Sequence, residues 1–407
     1  MDGILAGLRI VESAAFIAAP LGGMTLAQLG ADVIRCDPIG GGLDYRRWPV
    51  TKDGQSLYWA GLNKGKRSIA LDLNAPRGRE LLTALITAPG PDAGLFITNF
   101  PAKGWLAYET LAKRRADLIM MNVLGNPDGG SAVDYTVNCA AGFPYATGPE
   151  GFAGAVNHVL PAWDIATGAT AAVGLLAAER QRARTGAGQY IKLALSDVAF
   201  AMAGNIGHIA EAQINGEVRP RMGNELYGAL GRDFVTRDQR RVMVVAITPK
   251  QWQGLVAATG MATAVEEIER RGGLDLAREG DRFQARRLLF PLLEAWIGAR
   301  DLGEVARDFD RHGVCWGPYR DFGEMVREDP RCSQDNPMFA MVEQPGIGRY
   351  LMPGSPLAFS GSPRVPPRPA PRLGEHSDQV LADILGLSGR EIGELHDAKV
   401  VAGPDPA

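Results

Sequence analysis

A single carboxylate, Asp164, stands between Trp163 and a run of small residues in the stretch PAWDIATGATAAVGLLAAERQRARTGAGQYIKLALSD, residues 161–197. It falls just before a helical period, where two chemistries are open. The N–H groups and dipole of a helix N-terminus favour an ionised carboxylate, so Asp164 could be an N-cap. The same position suits a carboxylate nucleophile, with Trp163 as an apolar wall. Gly168, Ala169, Ala171 and Ala172 leave room for a backbone or a ligand to approach closely.

Cations form the second group. The chain has only eight lysines, yet Lys64 and Lys66 fall within three residues and Arg67 follows. Such a cluster is either a solvated loop or a clamp for phosphate groups. Arg35 ends a strand-like segment. Arg46 and Arg47 lie in a long loop, 38–59, with Gly40, Gly41, Gly42, Asp44, Tyr45 and Trp48. Loops of that length in a compact domain are usually functional; the two arginines either grip a carboxylate or meet solvent and Asp44. Cys36, Cys139, Cys315 and Cys332 form no CxxC, and His158, His208, His312, His376 and His396 lack ligand spacing. No metal site is expected, and His158 and His208 read as structural.

The elements that must position these groups alternate. LRIVE (8–12), ADVIRC (31–36), SIALDL (68–73), GLFITNF (94–100) and DLIMMNVLG (117–125) read as strands. Between them lie a helix from Leu21 to Leu29 closed by Gly30, and one that Asn74 could cap, with Pro76 in its first turn. The helix after Asp164 ends in Arg180, Arg182 and Arg184, and Gly186 and Gly188 break it before a strand at 191–195. Apolar strands alternating with helices predict an α/β fold: a Rossmann-like parallel sheet covered on both faces. Strand ends at Leu71, Asp72 and Asn74, and at Asn99, Phe100 and Pro101, then lie on the sheet edge where ligands bind. Gly22-Gly23 with Asp37 hints at a dinucleotide site, but the GxGxxG spacing is absent.

Residues 1–224 are expected to form the first part of this large domain, and 225–328 a smaller α+β domain. The smaller domain holds a strand, RVMVVAI (241–247), and a helix over 281–300 that should kink or break at Pro291. Ten prolines between Pro330 and Pro371 predict that 329–407 begins as an extended arm and returns to complete the large domain. At 407 residues the chain can build both cores, and a net charge of −3 gives no attraction to nucleic acid or anionic membrane. No apolar run suggests a transmembrane helix, Asp2 stands where a signal peptide would be basic, and scattered cysteines suit a reducing cytoplasm.

Several stretches in order resemble the class III (CaiB/BaiF-type) CoA-transferases. They are GLRIVE, Pro20, LAQLGADVIRCDP, NKGKRSIALDL, TNF, the Asp164–Gly168 pattern with GLLAAERQRARTGAGQ and a strand ending in Asp197, and LGEHSDQVLADILGLSGREIGELHD. The resemblance implies that Asp164 attacks an acyl-CoA thioester, giving a mixed anhydride and then an aspartyl-CoA thioester. CoA would enter as part of the substrate, with no tightly bound cofactor. The resemblance places Ile17 and Ala18 on the pantetheine channel, Arg35 near the adenosine, and Leu71 and Asn99 at CoA contacts. Asp72, Asn74, Phe100 and Pro101 lie beside those contacts, and Lys64, Lys66 and Arg67 are candidates for the phosphates. Some relatives carry glutamine where Ile17 stands and a basic residue at Ala107. The resemblance also implies a homodimer interlocked like links of a chain.

Two stretches, AAPLGGMTLAQLGADVIRCDPIGGGLDYRRWPVT and DNPMFAMVEQPGIGRYLMPGSPL, are most similar to the branch that moves CoA between the two carboxyls of mesaconate. The expected activity is therefore intramolecular transfer, 2-methylfumaryl-CoA to 3-methylfumaryl-CoA, with Arg46 or Arg47 holding the carboxylate that is not reacting. One alternative is intermolecular transfer from a dicarboxylyl-CoA such as succinyl-CoA. A second is an α-methylacyl-CoA racemase, whose relatives place a histidine just before an aspartate where this chain has Val133-Asp134. A third is a nicotinamide-dependent oxidoreductase or a non-catalytic nucleotide-binding protein.

Overall fold

The computed structural model describes residues 3–404; Asp2, read above for the missing basic leader, lies outside them. The chain forms two compact units. One comprises the residues up to Ala141, His158–Asn215 and the chain from Pro330 onward; the other comprises Gly142–Asn157 and Gly216–Asp329. The sequence reading drew its boundaries at 224 and 328 and kept 142–157 with the large domain.

The larger unit is built on strands β1 (Arg9–Ser13), β2 (Asp32–Pro38), β3 (Arg67–Leu71), β4 (Leu95–Thr98), β5 (Ile119–Leu124) and β6 (Gln189–Ala194). They lie side by side in the order β3-β2-β1-β4-β5-β6, all parallel. The near-continuous apolar runs follow from this: with helices over both faces, Ile10, Ile34, Ile69, Phe96 and Met120 are all fully buried. Chain order reverses between β1 and β4, where Ile10 pairs with both Val33 and Leu95. That is the switch point at which doubly wound sheets leave a crevice above their carboxyl ends.

Its helices include α1 (Ala18–Ala27), α2 (Leu57–Leu62), α3 (Pro76–Ile86), α4 (Asp134–Ala140), α5 (Ala162–Thr185) and α6 (Leu195–Asn205). α5 stops where Gly186 turns left-handed at φ 72°. Its Arg182 does more than face the dipole: the buried guanidinium donates to the Ala93 carbonyl at 2.7 Å. Asn74 does not cap α3. Pro76 holds the preceding Ala75 extended, so Ala75 takes the cap position, and the Asn74 N–H donates instead to Asp72 Oδ1.

The smaller unit has an antiparallel sheet of β7 (Leu230–Val235), β8 (Arg241–Ala246) and β9 (Cys315–Pro318). Its own core includes Phe234, Val244, Trp252, Leu289, Phe290 and Phe309. The expected break at Pro291 falls elsewhere. Helix Arg286–Gly298 runs through Pro291, and the chain breaks at Ala285 after helix Glu279–Gln284.

Residues 330–371 are not simply extended. β10 (Phe339–Gln344) and β11 (Gly348–Pro353) form an antiparallel hairpin whose turn holds Pro345 and Gly346. Pro353 ends the second strand, so its missing N–H interrupts no central ladder. Beyond it the chain returns to the large sheet. Gly65 N–H donates to the Pro369 carbonyl, Gly374 N–H to Ser68 Oγ, and β12 (Val401–Ala402) pairs antiparallel with β3.

Candidate active site

Asp164 lies in the first turn of α5, but it is not that helix's cap. Pro161 holds the N-cap position and supplies no side-chain acceptor. The free N–H groups of Trp163 and Asp164 both donate to Oδ2 of Asp134, at 2.7 and 3.0 Å. Asp134 opens α4 and is 1% exposed. Its other oxygen lies 2.6 Å from Nε2 of His158, whose ring rests against Tyr135 and Trp163. One turn along α4, Asn138 accepts from the Trp163 indole N–H at 3.0 Å. Positions 134 and 138 share a helix face, so α4 grips the start of α5 at two points.

The Asp164 carboxylate itself is partly buried, and among the described residues no hydrogen-bond donor reaches it. Burial pushes it up to about 7, the Asp134 charge adds to the rise, and Arg47 opposes it. Near neutrality such a group is a stronger base and nucleophile than an ordinary surface aspartate.

Three loops at the sheet's carboxyl edge are locked together. Asn99, after β4, bridges the switch point: its amide accepts from Ala15 N–H at 2.9 Å and donates to the Ala15 carbonyl at 2.8 Å. Phe16 is left-handed at φ 69°, a strained state for a residue with a Cβ, and its N–H donates to Asp44 at 2.9 Å. Ile17 then takes the N-cap position of α1, and Ala18 is buried in its first turn. α1 lies against α5 at backbone distance, for a Cβ on Gly168 would sit 2.7 Å from the Ala18 carbonyl oxygen. The small residues after Asp164 thus admit a helix.

The glycine-rich loop turns tightly, with Asp44 buried while Arg46 and Arg47 are exposed. Ser56, the cap of α2, donates to the Arg47 carbonyl at 2.5 Å. The Arg47 guanidinium stands over Phe16 at 5.4 Å and Tyr58 at 5.3 Å. Of the two arginines, it is the one whose charge is felt at Asp164.

Most of the other expected cations hold the fold. Arg35 is fully buried and binds Glu12, Asp37 and Asp44, its bond to Asp37 measuring 2.8 Å. Lys66 joins the same network through Glu12 at 2.7 Å, the Pro20 carbonyl and Asn63. Gly23 leaves space for that glutamate, since a Cβ there would lie 1.9 Å from Glu12 Oε2. Lys64 donates to the Pro353 carbonyl at 3.2 Å, and Arg67 makes a two-pronged pair with Asp32. Gly22 and Gly23 therefore serve packing, and Asp37 serves the ion network.

Leu71 is buried at the end of β3, where Asp72 N–H meets the Val400 carbonyl; Asn74 is exposed beyond it. Asn99, Phe100 and Pro101 line a cleft of about 540 Å³ above β4, β5 and β6. Lys103, Asn122, Tyr190 and Lys192 line it too, and none of them is among the site residues expected from the sequence. The sequence reading passed over Asp134 as well, noting only the valine before it. Lys192 carried a signal, as a cation inside the strand Gln189–Ala194 between Ile191 and Leu193. The Asp134–His158 pair carried none, because an irregular segment separates the two residues.

Among the described residues no cluster of His, Cys, Asp or Glu is placed to hold a metal ion, and no helix is long and apolar enough to cross a membrane. Over its whole length the chain is 64% identical to 2-methylfumaryl-CoA isomerase of Chloroflexus aurantiacus, covering all of both proteins. It is 30% identical to succinate–glutarate CoA-transferase of Agrobacterium fabrum, across 93% of this chain and 95% of that one. A crystal structure of a CaiB/BaiF family protein from Brucella suis superposes with a TM-score of 0.77 at 26% identity, covering 94% of this chain and 100% of the other. The family model of CoA-transferase family III matches residues 5–377, and with these relatives it shows that the chain belongs to that family.

Proposed function

We propose that this chain is an intramolecular CoA-transferase that moves CoA between the two carboxyls of mesaconate, converting 2-methylfumaryl-CoA to 3-methylfumaryl-CoA. The observation that carries the reading is the 64% identity, end to end, with an enzyme of that name. Asp164, with no hydrogen bond on its carboxylate and a value of about 7, is the group suited to open the reaction.

The Asp164 carboxylate attacks the thioester carbonyl and expels CoA thiolate, leaving a mixed anhydride. The thiolate attacks the aspartyl carbonyl, forming an aspartyl-CoA thioester and freeing mesaconate as its dicarboxylate. Mesaconate turns and its other carboxylate attacks that thioester, releasing the thiolate again and forming a second anhydride. Thiolate attack on the mesaconyl carbonyl then gives product and restores Asp164. Each step exchanges one acyl bond for another, so the scheme calls for no bound cofactor. Both intermediates hydrolyse, so water must be kept out while mesaconate turns. Arg47, whose charge is felt at Asp164 and whose guanidinium lies over Phe16 and Tyr58, would grip the idle carboxylate.

In this reading the cleft lined by Asn99, Phe100, Pro101 and Lys103 would receive CoA, and Ile17 and Ala18 would meet its pantetheine. We assign the ion network of Arg35, Lys66 and their carboxylates to supporting that cleft rather than touching CoA. Val133 leaves the racemase alternative without its base, and His158, though brought to Asp134, has Nε2 committed to that carboxylate. A cytoplasmic, interlocked homodimer completes the proposal, and light scattering at micromolar concentration should return a dimer mass.

The test is incubation of the pure protein with mesaconyl-CoA and isotopically labelled free mesaconate, with thioester regiochemistry read by NMR. Isomerisation with little label in the thioester is expected. Label entering as fast as isomerisation proceeds would replace this reading with the intermolecular one.

A further inference from the structure

A carboxylate in the first turn of a helix ordinarily turns back onto the free N–H groups there. Those bonds would lower its basicity and fill its lone pairs, both of which blunt a nucleophile. At the start of α5 the donors are already occupied, because Asp134 Oδ2 receives the N–H groups of Trp163 and Asp164. Asp134 comes from another helix, is 1% exposed, and has its second oxygen 2.6 Å from His158 Nε2, a separation that requires a shared proton. One oxygen is thus directed at the start of α5 and the other at His158.

We propose that Asp134 is a positioning residue for the nucleophile: its buried carboxylate takes the N–H groups at the start of α5 in place of Asp164, which stays unengaged and fixed for attack. The idea rests on the reading of Asp164 as nucleophile. It explains why this helix begins at Ala162 behind Pro161, with no side-chain cap of its own, and why Asn138 adds a second tie to Trp163. It also gives His158 a task, holding Asp134 from behind. The charged and titratable groups around Asp164 are Asp134 from α4, Arg47 from the 38–59 loop and Tyr58 from α2, with His158 beyond Asp134.

The experiment compares Asp134→Asn, Asp134→Ala and Asp164→Ala, using kcat, KM and the pH profile of kcat/KM with mesaconyl-CoA. Intact-protein mass spectrometry reports the covalent CoA adduct. Asp134→Ala should lower kcat by about tenfold or more, a loss of transition-state stabilisation, with KM nearly unchanged. Asp134→Asn keeps an acceptor for the two N–H groups and should recover part of that loss. Because the asparagine removes the negative neighbour, its acid limb should also move to lower pH. The limb reads the Asp134 charge at Asp164, and the partial recovery of kcat in the asparagine variant reads the two N–H bonds. An unmoved limb in Asp134→Asn, or a loss confined to KM, overturns the proposal; if Asp134→Ala fails to fold, the asparagine variant decides alone. Turnover by Asp164→Ala, or a wild type that forms no adduct, would instead bring down the nucleophile reading itself. An inert Asp164→Ala beside an unmoved limb refutes only the role of Asp134.

Discussion

Replacing Asp164 by asparagine should abolish turnover and yet make the protein more stable at alkaline pH. Free aspartate in an unfolded chain titrates near 3.9, whereas burial and Asp134 push Asp164 up to about 7 in the folded protein. Below about pH 4 both states hold the proton and the group contributes no pH dependence. Between about 4 and 7 only the folded state holds it, so each pH unit of rise removes about 1.4 kcal/mol of stability. Above 7 the loss levels off, with a ceiling of about 4 kcal/mol. Asp164 is partly exposed, and solvent screening brings the expected figure to about 2–3 kcal/mol. Asparagine keeps the shape without the charge, and Asp134 already caps the helix, so the substitution forfeits no cap. Equilibrium urea denaturation should therefore show Asp164→Asn ahead of wild type by about 1 kcal/mol at pH 5 and about 2–3 kcal/mol at pH 8. Activity with mesaconyl-CoA should fall at least about 10³-fold. A variant less stable than wild type at pH 8, or a difference equal at the two pH values, would refute the reasoning.

The other expectations follow from single contacts. Arg47→Ala should let mesaconate escape, so labelled mesaconate enters the thioester faster, while Arg46→Ala should change the exchange little. Lys66→Met leaves buried Glu12 short of a partner and should cost about 3–5 kcal/mol in urea denaturation; a raised KM at unchanged stability would instead return Lys66 to the CoA phosphates. Gly168→Ala gains about 1 kcal/mol of helix propensity, but its Cβ meets the Ala18 carbonyl at 2.7 Å. A net loss of about 1–3 kcal/mol is expected in the same assay.

The sheet was legible because its strands are near-continuous apolar runs set between helical periods, a pattern that survives without knowledge of any partner. Asp164 was legible as a lone carboxylate ahead of a long helix of small residues. Whether it capped that helix could not be read, since the competing acceptor, Asp134, lies 30 residues earlier beyond a segment without periodicity. The cation cluster misled for a related reason. Lys66 and Arg35 look like surface groups, and only the folded sheet shows that Glu12, on the same buried strands, draws both inward. The hairpin at 339–353 did carry a signal, two short apolar runs, FAMV and YLM, on either side of Pro345-Gly346. The proline count masked it, because the prolines flank the strands or end them. Pro291 misled in the opposite direction, for one missing N–H did not stop a helix whose Leu289, Phe290, Leu293 and Ile297 are all buried.

In the proposed mechanism the locked loops and the exposed arginine divide the work of an intramolecular transfer. Attack on a thioester tolerates little error in the position of the nucleophile, because misplacement by about 1 Å can cost about 10²-fold. The protein meets that demand with backbone-directed bonds: Asn99 to both polar groups of Ala15, Asp44 to Phe16 N–H, and Asp134 to the first turn of α5. Asp44 also binds Arg35, so the Phe16 loop is tied through one carboxylate to the buried network beneath the sheet edge. In that proposal mesaconate must nevertheless rotate between the two halves of the reaction, and a rigid set of donors would hold it in one orientation. Arg47 suits the second demand in that reading because its backbone is fixed, the N–H by the Asp44 carbonyl and the carbonyl by Ser56, while its charged end rests against Phe16 and Tyr58. Contacts with ring faces are weakly directional compared with an ion pair. A guanidinium held that way can stay with a carboxylate while the rest of the dicarboxylate turns toward Asp164.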